Sequence, residues 1–342
     1  ALCDSEEKLN ILEHTPAAAL GSCRRKLPDP AKDPGVYANL LALFRKYDIR
    51  YFFYIGGNDS MDTVSRLSAY LADKDWEMRV VGVPKTIDND LMGTDHTPGF
   101  GSAAKYIAVT VQEILRDCAV YTIPAVTIVE IMGRDAGWLT ASAAAGGYVS
   151  GCFPDLIYLP ERDFSTAQFL ADVRAAQAKH PNVVVAVSEG IRFADGHYVG
   201  EGAQSGAVDA FGHAYLAGAG KVLEQLVKQE IGCKVRSVEL NLPQRCAAHL
   251  ASETDLAESV GVGKAAVAAA LAGVGGADEP YAVRFGHSAI AGIANRVRQV
   301  DDRYINAAGN GMTDAFCAYI LPLIRGEAVS VWENGIPKHF VL

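Results

Sequence analysis

From Ile49 onward, short runs of β-branched and aromatic residues alternate with longer stretches of helical spacing, and few architectures accept that order. Gly35 to Lys46 carries apolar residues at helical spacing and leads into Ile49-Arg50-Tyr51-Phe52-Phe53-Tyr54-Ile55, a continuous run stopped by Gly56-Gly57. The run predicts a buried strand fed by a helix, with its aromatic residues in the core and not forming a stacking platform for bases. Ser60 to Ala72 predicts the next helix, Arg79 to Val83 the next strand, and Gly101 to Arg116 a longer helix. Ala125 to Ile131, Val183 to Val187 and Val235 to Leu240 follow as strands, separated by helical stretches such as Thr166 to His180 and Phe211 to Glu230. Lys264 to Ala272 is alanine-rich but reads as an ordinary helix. The order predicts an α/β protein with mainly parallel sheets.

In open α/β sheets a ligand crevice lies beyond the carboxyl ends of the strands, so the residues just after each strand carry the functional information. Four junctions are polar: Gly56-Gly57-Asn58-Asp59-Ser60, Lys85 to Asp90, Met132-Gly133-Arg134 and Ser188-Glu189-Gly190. At the first, glycines let a ligand approach the backbone, and the following helix offers unpaired N–H groups to an anion. Ser60 is the expected N-cap whatever the function. Singly, each junction has an ordinary reading. Asp88 and Asp90 cap a turn, Lys85 is a solvated lysine, and Arg134 is as readily a salt-bridge partner as a ligand. Together they supply two cations, two acids and backbone donors. That set suits phosphoryl transfer, where catalysis is mostly positioning and charge stabilisation and a carboxylate accepts the proton of the attacking hydroxyl. His249, four residues after Arg245 and expected on the same helical face, reads as a packed or surface residue outside the site.

Composition excludes other classes. The 342 residues suffice for two domains, with 50% hydrophobic and 21% charged residues. A net charge of -9 without a Lys/Arg block argues against nucleic acid or an anionic membrane surface as partner. No apolar run is long enough to span a bilayer, and the first residues lack the order of a signal peptide. Seven dispersed cysteines (Cys3, Cys23, Cys118, Cys152, Cys233, Cys246 and Cys317) without a C-x-x-C fit core thiols in a reduced, cytoplasmic compartment.

The strings Gly56-Gly57-Asn58-Asp59-Ser60, Pro84-Lys85-Thr86-Ile87-Asp88-Asn89-Asp90, Gly93-Thr94-Asp95, Met132-Gly133-Arg134, Glu189 and Gln244-Arg245 occur in the order and approximate spacing of the 6-phosphofructokinase family, which the chain resembles from about Gly21 to the helix ending near Gly273. The resemblance implies two Rossmann-like three-layer domains: residues 1–99 with 244–286 for the phosphoryl donor, and 100–243 with 287–342 for the sugar phosphate. It implies transfer of a phosphoryl group to the C1 hydroxyl of fructose 6-phosphate, with Asp88 as general base. Asp90 matches the second acid, Thr86 a residue contacting the sugar phosphate and the transferred group, and Met132, Gly133, Arg134 and Glu189 the sugar-phosphate pocket. Arg134 is also placed to stabilise charge on the moving group. Arg245 matches an arginine holding the 6-phosphate, Arg236 one reaching that phosphate from a neighbouring subunit, and Arg24 one directed at the donor. Gly57, Asp59, Ser60 and Lys85 fall in the donor site, and Asn58, Asp59 and Asp90 at the magnesium (Mg2+). A homodimer or larger homo-oligomer follows from Arg236 acting in trans.

Two positions select the branch. ATP-using members resemble G-G-D-G-S and P-G-T-I-D-N-D, with glycine where this chain has Asp59 and Lys85. An aspartate there fills and charges the space beside a nucleotide's α-phosphate, while a lysine suits pyrophosphate, a small dense anion. Both resemble the pyrophosphate-dependent branch, whose reaction is reversible. Three departures stand beside this: Asn58 where many members have a metal-binding aspartate, Ala125 in place of a cross-subunit arginine, and Leu242 where a histidine or tyrosine usually lines the sugar pocket. The alternatives are an ATP-dependent enzyme, disfavoured by Asp59 and Lys85, a sedoheptulose-7-phosphate acceptor, left open by Leu242, and a non-catalytic regulatory subunit, motivated by Asn58 and Ala125 and opposed by intact Asp88, Asp90 and Arg134. Members begin with a strand and a Gly-rich phosphate loop, whereas Ala1 opens in what resembles a later segment. The resemblance thus implies a missing first βα unit, and less than full activity for a chain that starts here.

Overall fold

A computed structural model of the chain describes residues 5–23, 25–201, 218–272, 285–286 and 288–340. Helices α1 (Glu6–Glu13) and α2 (Pro34–Lys46) precede strand β1 (Tyr51–Gly56); α3 (Asn58–Leu71) then crosses to β2 (Arg79–Pro84), which pairs with β1 in parallel from Tyr51↔Arg79 to Gly56↔Pro84. Tyr37, Leu41 and Phe44 of α2 and Leu67 and Leu71 of α3 are buried together, with Phe52 and Val80 of the sheet packed against them.

The second sheet is built from α4 (Phe100–Ala119), β3 (Ala125–Ile131), the short helices α5 (Trp138–Ala141) and α6 (Ala145–Ser150), β4 (Leu156–Tyr158), α7 (Thr166–Gln177), β5 (Asn182–Ser188), α8 (Ala219–Glu230) and β6 (Lys234–Glu239). Its four strands are parallel in the order β4-β5-β3-β6. Alternation sends Val129, Ile131, Val184 and Ala186 to one face, against α4 and α5, and Val126, Ile128, Val183, Val185 and Val187 to the other, against α7 and α8. Both faces are therefore covered, which is why Val183 to Val187 reads as a continuous apolar run and β3 is apolar except at Thr127 and Glu130. Each fully buried Val or Ile contributes about 1.5–3 kcal/mol relative to exposure. The chain then returns through α9 (Glu253–Ala272), which packs on β2, and ends in α10 (Ala315–Leu323) and the hairpin β7 (Trp332–Glu333) with β8 (Ile336–Pro337).

Helices and parallel strands alternate as expected, with two corrections. The strand after Ile49 is not buried: Tyr51 is 45% and Ile55 54% exposed, because β2 is its only partner strand among the described residues. The helix expected from Ser60 begins at Asn58, so Gly57, not Ser60, is the N-cap. The helical stretch from Phe211 is described only over α8, and residues 211–217 lie outside the described residues. No helix among the described residues is long and apolar enough to cross a membrane.

Candidate active site

The four polar junctions all sit at carboxyl ends of parallel strands. At the first sheet, Lys85 N donates to Gly56 O at 3.0 Å, extending the β1–β2 ladder by one bond and tying the two junctions together. Gly56 is required: a Cβ there would meet Ser60 Oγ at 2.1 Å. No side chain caps α3, and Asp59 occupies its first turn, half-buried. Lys85 is exposed, beside the loop that carries the acids.

That acid loop is fastened along its length. Buried Thr86 bridges Gly99, and its Oγ1 both donates to Asp88 Oδ2 at 3.3 Å and accepts from Asp88 N at 3.2 Å. Asn89 is fully buried with φ 56°, a left-handed conformation that asparagine tolerates better than most residues. Its Oδ1 accepts from Thr97 N at 3.0 Å and its Nδ2 donates to Tyr319 OH at 2.7 Å. Asp90 Oδ2 accepts from Asn58 Nδ2 at 2.9 Å, which joins this loop to the start of α3.

Burial pushes the Asp88 carboxyl up, against the Thr86 hydrogen bond and the charges of Lys85 and Arg134, which pull it down. Asp90 is pushed up to about 6, by burial and then by the charge of Asp88, with the Asn58 bond opposing. A carboxylate with a raised pKa is a better proton acceptor once ionised.

At the second sheet, Gly133 has φ 140° and its N–H donates to Glu189 Oε1 at 3.3 Å. Ser188 Oγ donates to Gly133 O, and Met132 N donates to Gln244 Oε1 at 3.3 Å. A Cβ on Gly190 would lie 1.9 Å from Arg134 O, so the β5 junction approaches the β3 junction backbone to backbone. Burial pushes Glu189 up to about 7, with Asp88 adding repulsion and Arg134 opposing it. Asp88 and Glu189 each feel the other sheet's charges, so the acid loop and the Arg134–Glu189 junction share one electrostatic site.

Of the other expected residues, two are exposed and one lies outside the described residues. Arg24 lies outside the described residues. Arg236 is exposed on β6 opposite Thr127, four residues short of the level where β3 ends at Ile131. It lines a separate cavity of about 320 Å3 with Glu113, Asp117 and Lys234. Arg245 ends the 3₁₀ turn Leu242–Arg245 and is exposed, while its neighbour Gln244 is buried. His249 does not share a helix with Arg245: Cys246 and Ala247 separate that turn from a second one, Ala248–Leu250.

Other residues went unread. Arg298 reaches the acid loop from a segment without a motif, its backbone N–H donating to Asp90 O at 2.7 Å and its Nη1 to Asn89 O at 3.2 Å. Arg192 braces the β3 junction, donating to Arg134 O at 3.3 Å and Asp135 Oδ1 at 2.9 Å. The asparagine inside the D-N-D string was the available signal for Asn89, since asparagine is favoured where φ turns positive.

The residues expected at a metal include a suggestive atom. Asn58 Oδ1 is buried and accepts no hydrogen bond, while the amide nitrogen is committed to Asp90. An unsatisfied carbonyl oxygen beside a carboxylate is a hard donor pair. Among the described residues no three His, Cys, Asp or Glu side chains gather into a metal cage. The donor set thus fits a cation that takes one or two protein oxygens and leaves its remaining positions to phosphate and water.

Strands and site together define a phosphoryl-transfer protein of the α/β class, and comparison with known proteins assigns the family. The model of the family described as phosphofructokinase matches residues 3–270, and the chain belongs to that family. The chain is 41% identical over 347 residues to the pyrophosphate--fructose 6-phosphate 1-phosphotransferase of Halomonas elongata, covering 98% of this chain and 82% of that protein. It is 41% identical over 350 residues to the Xanthomonas campestris protein of the same name, covering 99% and 83%. Among solved structures, the pyrophosphate-dependent phosphofructokinase of Nitrosospira multiformis superposes with a TM-score of 0.85 at 33% identity, covering 99% of this chain and 82% of that one. The Marinobacter aquaeolei counterpart gives 0.82 at 34%, covering 98% and 81%.

Proposed function

We propose that this chain catalyses reversible transfer of a phosphoryl group from pyrophosphate to the C1 hydroxyl of fructose 6-phosphate. The observation that carries the reading is the presence of Lys85 and Asp59 at the two hydrogen-bonded junctions of the first sheet, beside an acid loop whose Asp88 feels the charges of Lys85 and Arg134. The names of the relatives above support the same donor and acceptor.

Asp88, once ionised, accepts the proton of the C1 hydroxyl, and the burial that raises its pKa makes it the stronger base. The oxygen of that hydroxyl attacks the terminal phosphorus in line, and the departing orthophosphate carries away the bond's electron pair. Arg134 and Lys85 neutralise charge on the transferring group. Thr86 holds Asp88 in place and contacts the sugar phosphate, while Met132, Gly133, Glu189 and Arg245 hold the sugar phosphate, with Arg236 supplied by a neighbouring subunit. Gly57, Asp59, Ser60, Lys85 and Arg24 receive pyrophosphate. Asn58, Asp59 and Asp90 would hold Mg2+, which supplies charge neutralisation of the phosphates when bound. Residues 1–99 with 244–286 form the donor side and 100–243 with 287–342 the sugar side, in a cytoplasmic homo-oligomer.

Asp59→Gly combined with Lys85→Gly tests the donor assignment. The account expects kcat/KM to fall at least about tenfold with pyrophosphate and to rise with ATP, a shift of more than about 1.4 kcal/mol in relative transition-state binding. An unchanged ratio removes both residues as its cause.

A further inference from the structure

The loop from Thr86 to Leu91 carries both carboxylates used in the proposed reaction, and it reverses direction at Asn89, the left-handed residue. A residue in that conformation persists where its surroundings over-determine it. Thr97 and Tyr319 hold the Asn89 side chain, and Arg298 holds the Asn89 backbone carbonyl, across a separation of 209 residues. Besides its bonds to the carbonyls of Asn89 and Asp90, its guanidinium lies 4.0 Å from the centroid of Trp138 and 5.8 Å from that of Tyr319. Trp138 Nε1 donates to Arg298 O at 2.9 Å. Tyr319 closes the arrangement, accepting from Asn89 Nδ2 and donating to Asp95 O at 2.9 Å. One residue earlier, Val297 bridges Leu91.

Trp138 opens α5, four residues after Arg134. The same arginine therefore ties the loop of Asp88, which follows the first sheet, to the segment of Arg134, which follows the second. In-line transfer depends on those two groups keeping a fixed separation, and a misplacement of about 1 Å costs roughly a hundredfold in rate.

We propose that Arg298 is a positioning residue: its guanidinium, set on Trp138 and beside Tyr319, holds the Asn89 carbonyl while its backbone N–H holds that of Asp90, and together they fix the acid loop relative to Arg134. The proposal rests on the phosphoryl-transfer reading above. Its guanidinium is engaged by backbone and rings, so its loss acts on turnover and leaves substrate affinity in place.

Arg298→Met keeps the aliphatic stem and the backbone N–H bond to Asp90 O and removes the guanidinium bond to Asn89 O and the charge; Arg298→Lys keeps the charge on a compact head without the planar fork. In Arg298→Met, kcat with pyrophosphate and fructose 6-phosphate falls about 30- to 100-fold while both KM values stay within about threefold. Amide hydrogen exchange across residues 88–91, measured without substrate, becomes at least about tenfold faster there while the sheet cores keep their protection. Arg298→Lys recovers part of both quantities together. The proposal is overturned by a folded Arg298→Met with kcat within about threefold of wild type, or by a raised KM at unchanged kcat. Uniformly faster exchange throughout both variants also overturns it, since that marks a general stability role. Should the wild type itself fail to turn over these substrates, the functional reading falls, and the exchange comparison still decides whether Arg298 holds the loop.

Discussion

Glu189 follows a strand buried on both faces, and its carboxylate takes one backbone N–H, from Gly133. Burial outweighs that bond and pushes the group from its ordinary 4.5 up to about 7. The sign of the consequence follows from linkage. A carboxyl whose pKa is raised on folding binds its proton more tightly in the native state, so native stability falls as pH rises from about 4.5 to about 7 and stays reduced above. At about 1.4 kcal/mol per unit, the penalty above pH 7 is on the order of 3 kcal/mol as an upper value. Glu189→Gln keeps an oxygen for the Gly133 N–H and cannot ionise. Urea melts of the ligand-free protein should show the variant more stable than wild type at pH 8 and the two converging near pH 5. Parallel profiles would mean that Glu189 is solvated in the native state. Burial also pushes Asp88 up, and the charge of Asp88 adds to the shift at Glu189, so both carboxyls are held above their usual range; the proposed reaction needs Asp88 in its ionised form.

Among elements, the junctions depend on glycines that admit close backbone approach. Gly190→Ala drives a Cβ against Arg134 O, and no side-chain rotation relieves a clash with a carbonyl. The variant should lose about 2–4 kcal/mol and most of its turnover together, checked by urea melts and initial rates. Normal stability and normal turnover would contradict the backbone contact. What was legible in the sequence follows the same physics. β3 and β5 were read within a residue at each end, because β-branched runs buried on both faces have one interpretation. The strings around Asp88 and Arg134 were read because their chemistry is local. Two helix heads are served from far away. Asp255 of α9 accepts from Gly99 N at 2.8 Å and Ser102 N at 3.0 Å at the head of α4, and Glu130 of β3 accepts from Gly218 N and Gly220 N at the head of α8. A cap borrowed across a fold leaves no local trace. Arg298 was missed for the same reason, since it speaks to the acid loop through backbone carbonyls, which any sequence supplies. The aromatic run of β1 misled in the other direction: apolar character predicted burial, while exposure depends on neighbours that one strand's sequence does not name.

At the scale of the molecule, Arg236 and the acid loop raise a question of assembly. Arg236 stands on β6 about four residues, roughly 13 Å, below the carboxyl edge of its own sheet, too far to reach its own cleft comfortably. The proposed oligomer resolves this by having it serve a neighbour. Subunits carrying Asp88→Asn and subunits carrying Arg236→Ala should each be nearly inactive alone, and co-refolding them in equal amounts should restore about a quarter of wild-type sites in a dimer. No recovery on mixing would place Arg236 in its own site or outside catalysis.

The most direct test of the central claim is donor choice in the unmodified chain: initial rates with fructose 6-phosphate and magnesium, with either pyrophosphate or ATP supplied. Turnover is expected with pyrophosphate and not with ATP, since in the proposed site Lys85 would hold a compact anion and Asp59 would repel a nucleotide's α-phosphate. Turnover with ATP and none with pyrophosphate would contradict it.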